Sequence, residues 1–296
     1  MSGGAAFPVP LLLGMMRLHE EPALHAPERL ADWLEARLDE GLDWFDHADI
    51  YGDHAGEALF GAALRARPAL AKRVRVVTKT GIVTPERDGS RPLAHGKGVK
   101  HYDSSRAYVT AAIDAALTRL GIARLDHFLI HRPDPLMDAE ATGRALDEAI
   151  DAGKLGAAGV SNFQPEQWRR LQGAMHHRLA AHQLQLSLDH SAPLFDGHFD
   201  ALVGDGLAPL AWSPLGGGRV MTGPARPTLL ALAERLDVSP AGLALAWLRA
   251  LPGHPVPVIG SLKAERIRAL QADAGLTLAR ADWFALLEAA RGHEVA

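Results

Sequence analysis

The 296-residue chain contains no cysteine, which removes disulfides, thiolate metal ligands and cysteine nucleophiles together. It also lacks an excess of positive charge: 31 Lys and Arg stand against 35 Asp and Glu, with a net charge of -4. A basic face for nucleic acid is therefore not expected. No apolar run approaches the roughly 20 residues of a membrane helix. The one stretch that imitates a signal sequence, Ala5 to Met16, has no basic residue before it and is interrupted by Pro8 and Pro10. These absences point to a cytoplasmic protein that binds neither membrane nor nucleic acid. No composition shift, low-complexity tract or linker divides the chain, so residues 1–296 read as a single domain.

What is present is an alternation of short strand patterns with amphipathic helical ones. The strands begin at Pro10–Met16, Trp44–Ile50, Arg75–Thr80, His127–His131, Ala157–Asn162, Ala181–Ser187, Pro209–Ser213 and Pro257–Ser261. Helical spacing of apolar residues marks Pro27–Glu40, Glu57–Arg67, Ser105–Leu120, Ala139–Ala152, Pro165–Met175, Pro227–Leu236, Ala241–Leu251, Lys263–Ala272 and Ala281–Arg291. Strand and helix in strict alternation give a parallel sheet covered by helices, and eight units close it into an α/β (β/α)8 TIM barrel.

Catalytic groups in such barrels gather at the C-terminal ends of strands. Asp46, His47, Asp49 and Tyr51 end the second strand, Lys79 the third, His131 the fourth, and Ser161 and Asn162 the fifth, while Gln183 lies on the sixth. Polar groups on strands that read as buried are costly without partners or a task. The set has a chemical logic. Tyrosine is a weak acid, with a pKa near 10, and a neighbouring ammonium stabilises its anion. Lys79 is expected to bring Tyr51 below that value, with Asp46 orienting Lys79 and His131 donating a hydrogen bond to a carbonyl oxygen.

Phe45-Asp46-His47-Ala48-Asp49-Ile50-Tyr51-Gly52, Val77-Thr78-Lys79, Leu129-Ile130-His131-Arg132-Pro133 and Gly159-Val160-Ser161-Asn162-Phe163 occur in this order. Together these segments resemble the aldo-keto reductases, over almost the whole chain. The run from His131 to Asp138 resembles a bacterial subgroup of oxidoreductases within that superfamily. The resemblance implies NAD(P)H-dependent reduction of aldehydes or ketones, with Asp46, Tyr51, Lys79 and His131 as a catalytic tetrad and a small carbonyl compound as substrate.

The same resemblance implies a nicotinamide cofactor, although no Gly-x-Gly-x-x-Gly follows a strand. Ser161, Asn162 and Gln183 resemble residues that bind the carboxamide, and Trp212 the aromatic that stacks on the ring. Ser213, Leu215, Gly216, Gly217, Gly218 and Arg219 follow strand seven, where glycine amides can approach a pyrophosphate and an arginine can neutralise it. Gly260, Ser261, Lys263 and Arg266 resemble the segment that holds the 2′-phosphate, so NADP is expected in preference to NAD. Gly260 and Leu270 depart from that pattern, replacing a lysine and an asparagine that some members carry.

Alternative readings weigh less. Asp46, His47, Asp49 and His131 could serve as metal ligands in a barrel hydrolase, but the first strand lacks paired histidines, and no metal is expected. A nicotinamide-binding regulatory subunit with slow turnover would retain the same tetrad. His47, His95 and His101 are expected to face solvent, with His47 close enough to Asp46 to line the pocket. The loop Ile82–Ser104 carries Arg87, Arg91, His95, Lys97, Lys100 and His101, a solvated set that could also meet an anionic substrate.

Overall fold

A computed structural model describes residues 7–85 and 99–294. All eight expected strands are present, as β1 (Leu12–Gly14), β2 (Trp44–Asp46), β3 (Arg75–Thr80), β4 (Leu125–Ile130), β5 (Leu155–Ser161), β6 (Ala181–Gln185), β7 (Ala208–Trp212) and β8 (Val256–Ile259). They form a closed barrel in the order β1-β8-β7-β6-β5-β4-β3-β2. The chain groups into two compact units, Met15–Ala180 and Met1–Gly14 with Ala181–Ala296.

In the unit Met15–Ala180, β2 to β5 run parallel, with Asp46 opposite Val77, Lys79 opposite Leu129, and Ile130 opposite Val160. This register brings the C-terminal ends of β3, β4 and β5 level, which sets the height of the polar groups they carry. The helices α1 (Pro27–Asp39), α2 (Gly56–Ala66), α3 (Arg106–Leu120), α4 (Ala139–Asp151) and α5 (Pro165–Gly173) lie within about two residues of the expected bounds. Four of them have a recognisable start: Pro at the beginning of α1 and α5, Ser105 accepting from Tyr108 N before α3, and Asp138 accepting from Glu140 N and Ala141 N before α4.

β2 stops four residues short of expectation, because the chain curls after Asp46 while its pairing continues. His47 N donates to Val77 O at 2.7 Å and Asp49 N to Lys79 O at 3.0 Å, after which Tyr51 N turns back to Ala48 O. The loop after β3 opens with a hairpin, Ile82–Val83 paired antiparallel with His101–Tyr102. Its residues Arg87, Arg91, His95 and Lys97 lie outside the described residues.

In the other unit, α7 (Arg226–Leu236), α8 (Pro240–Arg249), α9 (Ala264–Ala272) and α10 (Arg280–Arg291) match expectation, and a short α6 (His198–Gly204) was not anticipated. Its seven residues bury Phe199 and Leu202, too few positions for periodicity to register. The stacked rings of Trp247 and Trp283, 4.9 Å apart, exchange indole N–H bonds with each other's backbone carbonyl and so fasten α10 to α8.

Close approach of α2 and α3 depends on Gly61. A Cβ there would lie 2.0 Å from Arg119 O and 2.9 Å from Leu120 C, both backbone atoms that cannot swing aside. Gly61→Ala should therefore destabilise the protein by about 3 kcal/mol, at the upper end of overpacking costs, despite alanine's better helix propensity. Urea unfolding measures this, and an unchanged or raised midpoint would contradict the packing described.

Candidate active site

Lys79, next to last on the buried strand β3, has a side chain with 0% exposure. A buried ammonium must satisfy three N–H donors, and Lys79 Nζ does so with Asp46 Oδ2 at 2.8 Å, His47 O at 2.7 Å and Tyr51 Oη at 3.2 Å. The structure thus joins three of the four expected catalytic residues through one cation. His131 completes the group, its ring centroid 6.1 Å from that of Tyr51 and nearly perpendicular to it. Thr80 O accepts from His131 N at 2.8 Å, which extends the β3–β4 ladder and sets the height of the imidazole.

The electrostatics correct one expectation. Burial raises the Tyr51 hydroxyl above its ordinary value of 10; Lys79 pulls the other way, and Asp46 pushes further up. The ammonium is in contact as anticipated, but desolvation outweighs it, so Tyr51 is held neutral rather than brought below 10. Burial likewise depresses Lys79, yet Asp46 and Tyr51 outweigh it and raise its pKa. His131 is held well below 6.5 by burial, then by Lys79, Arg132 and Lys100. It is a neutral imidazole at physiological pH, and its Nδ1 has no hydrogen-bond partner among the described residues.

Ser161 and Asn162 stand beside this cluster. Asn162 takes a left-handed φ of 62°, which asparagine tolerates better than most residues. Its Nδ2 donates to His131 O at 3.1 Å and Ser161 Oγ at 2.8 Å, fastening the end of β5 to that of β4.

The other unit contains the remaining expected binding residues. Gln183 is buried on β6 and Trp212 is half-buried at the end of β7. Beyond it Ser213, Gly216, Gly217 and Gly218 all have positive φ, with Ser213 O and Leu215 O accepting from Gly216 N and Gly218 N. A Cβ on Gly216 would lie 3.0 Å from Asp189 Oδ2, whereas Gly218 and Gly260 have open space. Arg219, expected to neutralise a pyrophosphate, has a carboxylate partner here: its Nε donates to Asp189 Oδ2 at 2.7 Å. Lys263 precedes α9 and Arg266 lies in its first turn, both exposed, and Lys263 N donates weakly to Ser261 Oγ at 3.4 Å.

His47 does not face solvent. Its ring is fully buried edge-on to Phe60, with centroids 4.6 Å apart. Asp49 is also buried and accepts from Thr80 Oγ1 at 2.5 Å. The metal-hydrolase set is therefore dispersed: Asp46 binds Lys79, Asp49 binds Thr80 and His47 packs on Phe60. Among the described residues, the group with clustered metal-donor atoms is a different one, Asp147, His176 and His177. Sequence reasoning missed two contacts that shape the site. The His47 carbonyl leaves no signature in side-chain identity, whereas the Asp49 to Thr80 clamp was open to inspection as an acid two residues before the tyrosine. His101 is exposed, as expected.

A parallel barrel with a buried Asp-Lys-Tyr cluster and a neutral histidine at its strand ends defines an oxidoreductase of the aldo-keto type. The chain belongs to the Aldo/keto reductase family, whose sequence model matches residues 10–289. It is 39% identical over 289 residues to a 6-dehydroglucose reductase of Agrobacterium fabrum, covering 97% of this chain and 95% of that protein. It is also 39% identical over 272 residues to the oxidoreductase YdhF of Escherichia coli, covering 90% and 89%. The fold matches a thermostable aldo-keto reductase in complex with epalrestat, with a TM-score of 0.81 at 22% identity over 98% of both chains. It also matches an aldo/keto reductase of Klebsiella pneumoniae in complex with NADP and acetate, with a TM-score of 0.75 at 24% identity over 94% and 90%. Among the described residues no helix is long and apolar enough to cross a membrane.

Burial lowers the pKa of His47 from 6.5 to about 3, with Lys79 adding to the effect. An unfolded chain therefore binds a proton between these values that the folded protein refuses, and stability is lost as pH falls from 6.5 toward 3. His47→Leu keeps an apolar partner for Phe60 and removes the titration. Its stability loss between about pH 7 and 4 should be smaller than that of wild type by on the order of 3 kcal/mol. Urea midpoints at the two pH values test this, and equal losses would mean that His47 is protonated in the folded state.

Proposed function

We propose that the protein reduces aldehydes or ketones to alcohols with a nicotinamide cofactor, that Tyr51 is the proton donor, and that the whole chain acts as one barrel domain. The observation that carries the reading is the contact of Lys79 Nζ with both Tyr51 Oη and Asp46 Oδ2 inside a water-poor site. Family membership across residues 10–289 supports treating the chain as a single catalytic unit.

The residues present fit such a cofactor. Gly218 after β7 and Gly260 after β8 leave backbone open where a side chain would otherwise stand. Arg266 and Lys263 are exposed cations with the chemistry for a 2′-phosphate. Ser161 and Asn162, with Gln183 and Trp212, are the proposed partners of the nicotinamide, and Ser213, Leu215, Gly216, Gly217, Gly218 and Arg219 those of the pyrophosphate. The reading favours NADP(H) over NAD(H). When bound, the cofactor supplies hydride to the carbonyl carbon.

The chain's own residues do the rest. His131, neutral and buried, donates a hydrogen bond to the carbonyl oxygen and polarises it. Tyr51 gives its hydroxyl proton to that oxygen as negative charge develops there. Lys79 stabilises the tyrosinate left behind, and Asp46 holds Lys79 in place. Two relatives carry the name 6-dehydroglucose reductase, so sugar aldehydes lead the substrates to be tried. A nicotinamide-binding regulatory subunit would retain the same Lys79 contacts, so cofactor turnover with a panel of aldehydes is the measurement that separates it from an enzyme.

Tyr51→Phe should leave cofactor binding nearly intact and cut carbonyl reduction by on the order of 100-fold or more. Wild-type rates in that variant would remove Tyr51 from the role of acid. In alcohol oxidation the rate should rise with pH as the tyrosinate forms, because burial holds the Tyr51 proton in place at neutral pH. Lys79→Met should displace this profile further upward, because the group that lowers the pKa is lost. A reduced rate with an unmoved profile would make Lys79 a positioning residue only.

Arg266→Ala should weaken NADPH by on the order of 10-fold or more relative to NADH, since only NADPH carries the phosphate that the guanidinium fits. Fluorescence titration with both cofactors measures the difference. Equal losses would place the 2′-phosphate contact elsewhere, with Lys263 the next residue to test.

A further inference from the structure

A second group of reactive side chains lies at the opposite end of the unit Met15–Ala180, where α4 ends before β5 begins. Asp147 and Asp151 are four residues apart on α4 and share one face of the helix. His176 and His177 follow α5 and meet that face. The donor atoms of Asp147, His176 and His177 lie within 4.8 Å of one another. His176 Nδ1 is 2.9 Å from Asp147 Oδ2, His176 Nε2 is 3.3 Å from Asp151 Oδ2, and His177 Nε2 is 2.7 Å from Asp151 Oδ1. The two imidazoles are 4.4 Å apart between centroids.

The arrangement is rigidly built. The buried carboxylate of Asp147 accepts from His176 N at 2.9 Å and His177 N at 3.1 Å, so both histidine backbones are anchored. Gln172 clamps the segment from the other side, donating to His177 O at 3.0 Å and accepting from Leu179 N at 2.7 Å. Gly143, one turn before Asp147, lets the segment press on α4, since a Cβ there would lie 2.9 Å from Ala174 O. Backbone hydrogen bonds therefore position the histidines before any ligand arrives, which lowers the ordering cost of binding.

We propose that His176, His177, Asp151 and Asp147 form a binding site for a divalent transition metal of the zinc class. Two imidazoles and two carboxylates are a donor set that suits zinc, cobalt, nickel or copper, whereas calcium and magnesium prefer oxygen alone. His176 presents one ring nitrogen to each carboxylate. The nitrogen that does not bind metal is thus hydrogen-bonded, an arrangement that fixes the tautomer in many histidine metal sites. A cation here would replace the shared protons of the imidazole–carboxylate contacts and clip the segment after α5 to the end of α4. It would lie away from Tyr51 and Lys79, which occupy the C-terminal ends of the strands.

The test uses untagged, chelator-stripped full-length protein titrated with Zn2+ by calorimetry, and with Co2+ for its visible absorption. Wild type should bind one Zn2+ per chain in the micromolar range or tighter, with a Co2+ spectrum of low-coordinate nitrogen and oxygen ligation. His177→Gln should weaken binding by at least ~10-fold, and the double variant with His176→Gln should abolish the saturable phase. Unchanged circular dichroism and urea midpoints in the metal-free variants establish that they fold. The proposal is overturned if wild type shows no saturable binding below about 100 μM, a bound well short of the affinities of built zinc sites. It is equally overturned if the folded double variant binds as wild type does, since the other histidines would then be responsible.

Discussion

The active end of this molecule depends on hiding one ammonium group. Lys79 has no exposed side-chain surface, and a buried cation is tolerated only when charge and every N–H are answered. Its three acceptors come from a six-residue stretch, Asp46, His47 O and Tyr51. That requirement dictates the path of the chain, which leaves strand geometry at Asp46, turns the His47 carbonyl inward and returns Tyr51 to the same nitrogen. Removing one partner of such a pair typically costs 3 to 5 kcal/mol, as an approximate range for a charge left buried and uncompensated. Asp46 therefore supports the fold locally as well as the chemistry.

A second layer stands behind the first. Side chains of β3 alternate between faces, so Thr78 and Thr80 project opposite to Lys79. Thr80 Oγ1 donates to Asp49, and Thr78 Oγ1 donates to Glu57 at 2.6 Å, whose other oxygen is bound by Arg119. Asp49 and Glu57 flank the segment that carries Tyr51, and each is bound to the face of β3 opposite to Lys79. The turn between them contains three consecutive left-handed residues, Gly52, Asp53 and His54. Two are not glycine, which costs on the order of 1–2 kcal/mol each, and the tethers on both sides hold the turn in that shape. Burial raises the Asp49 carboxyl from 3.8 to about 7, against the opposing bond from Thr80, so part of its population is neutral at physiological pH.

Much of this was legible in the sequence because it is written in side-chain identity and period. Alternating apolar runs located all eight strands, and the polar residues at their ends included all four of the proposed tetrad. What escaped is written in backbone and desolvation. The early end of β2 follows from a carbonyl that must turn toward Lys79, and carbonyls are the same in every residue. His47 was expected to be wet because histidine usually is; only the three-dimensional path places it against Phe60. The net shift on Tyr51 was misjudged for a related reason, since the contact with Lys79 is visible from residue types but the burial opposing it is not. Arg219 shows the same gap, because its partner Asp189 lies thirty residues away in a turn with no motif.

The electrostatic balance also bears on which residue is the acid. Tyr51 and His131 face the same proposed oxygen position, and either could in principle deliver a proton. Protonated His131 is disfavoured by burial and by repulsion from Lys79, Arg132 and Lys100, so the imidazole enters the reaction already neutral. A neutral imidazole can donate a hydrogen bond, but giving up its proton would create an imidazolate with no cation hydrogen-bonded to Nδ1 among the described residues. The tyrosinate does have such a cation, Lys79 Nζ at 3.2 Å. Burial makes Tyr51 a reluctant acid at rest, so in the proposed reaction its proton stays in place until negative charge builds on the carbonyl oxygen. The two groups are separated by the fate of their conjugate bases rather than by their positions, and that asymmetry supports Tyr51 as donor and His131 as polariser.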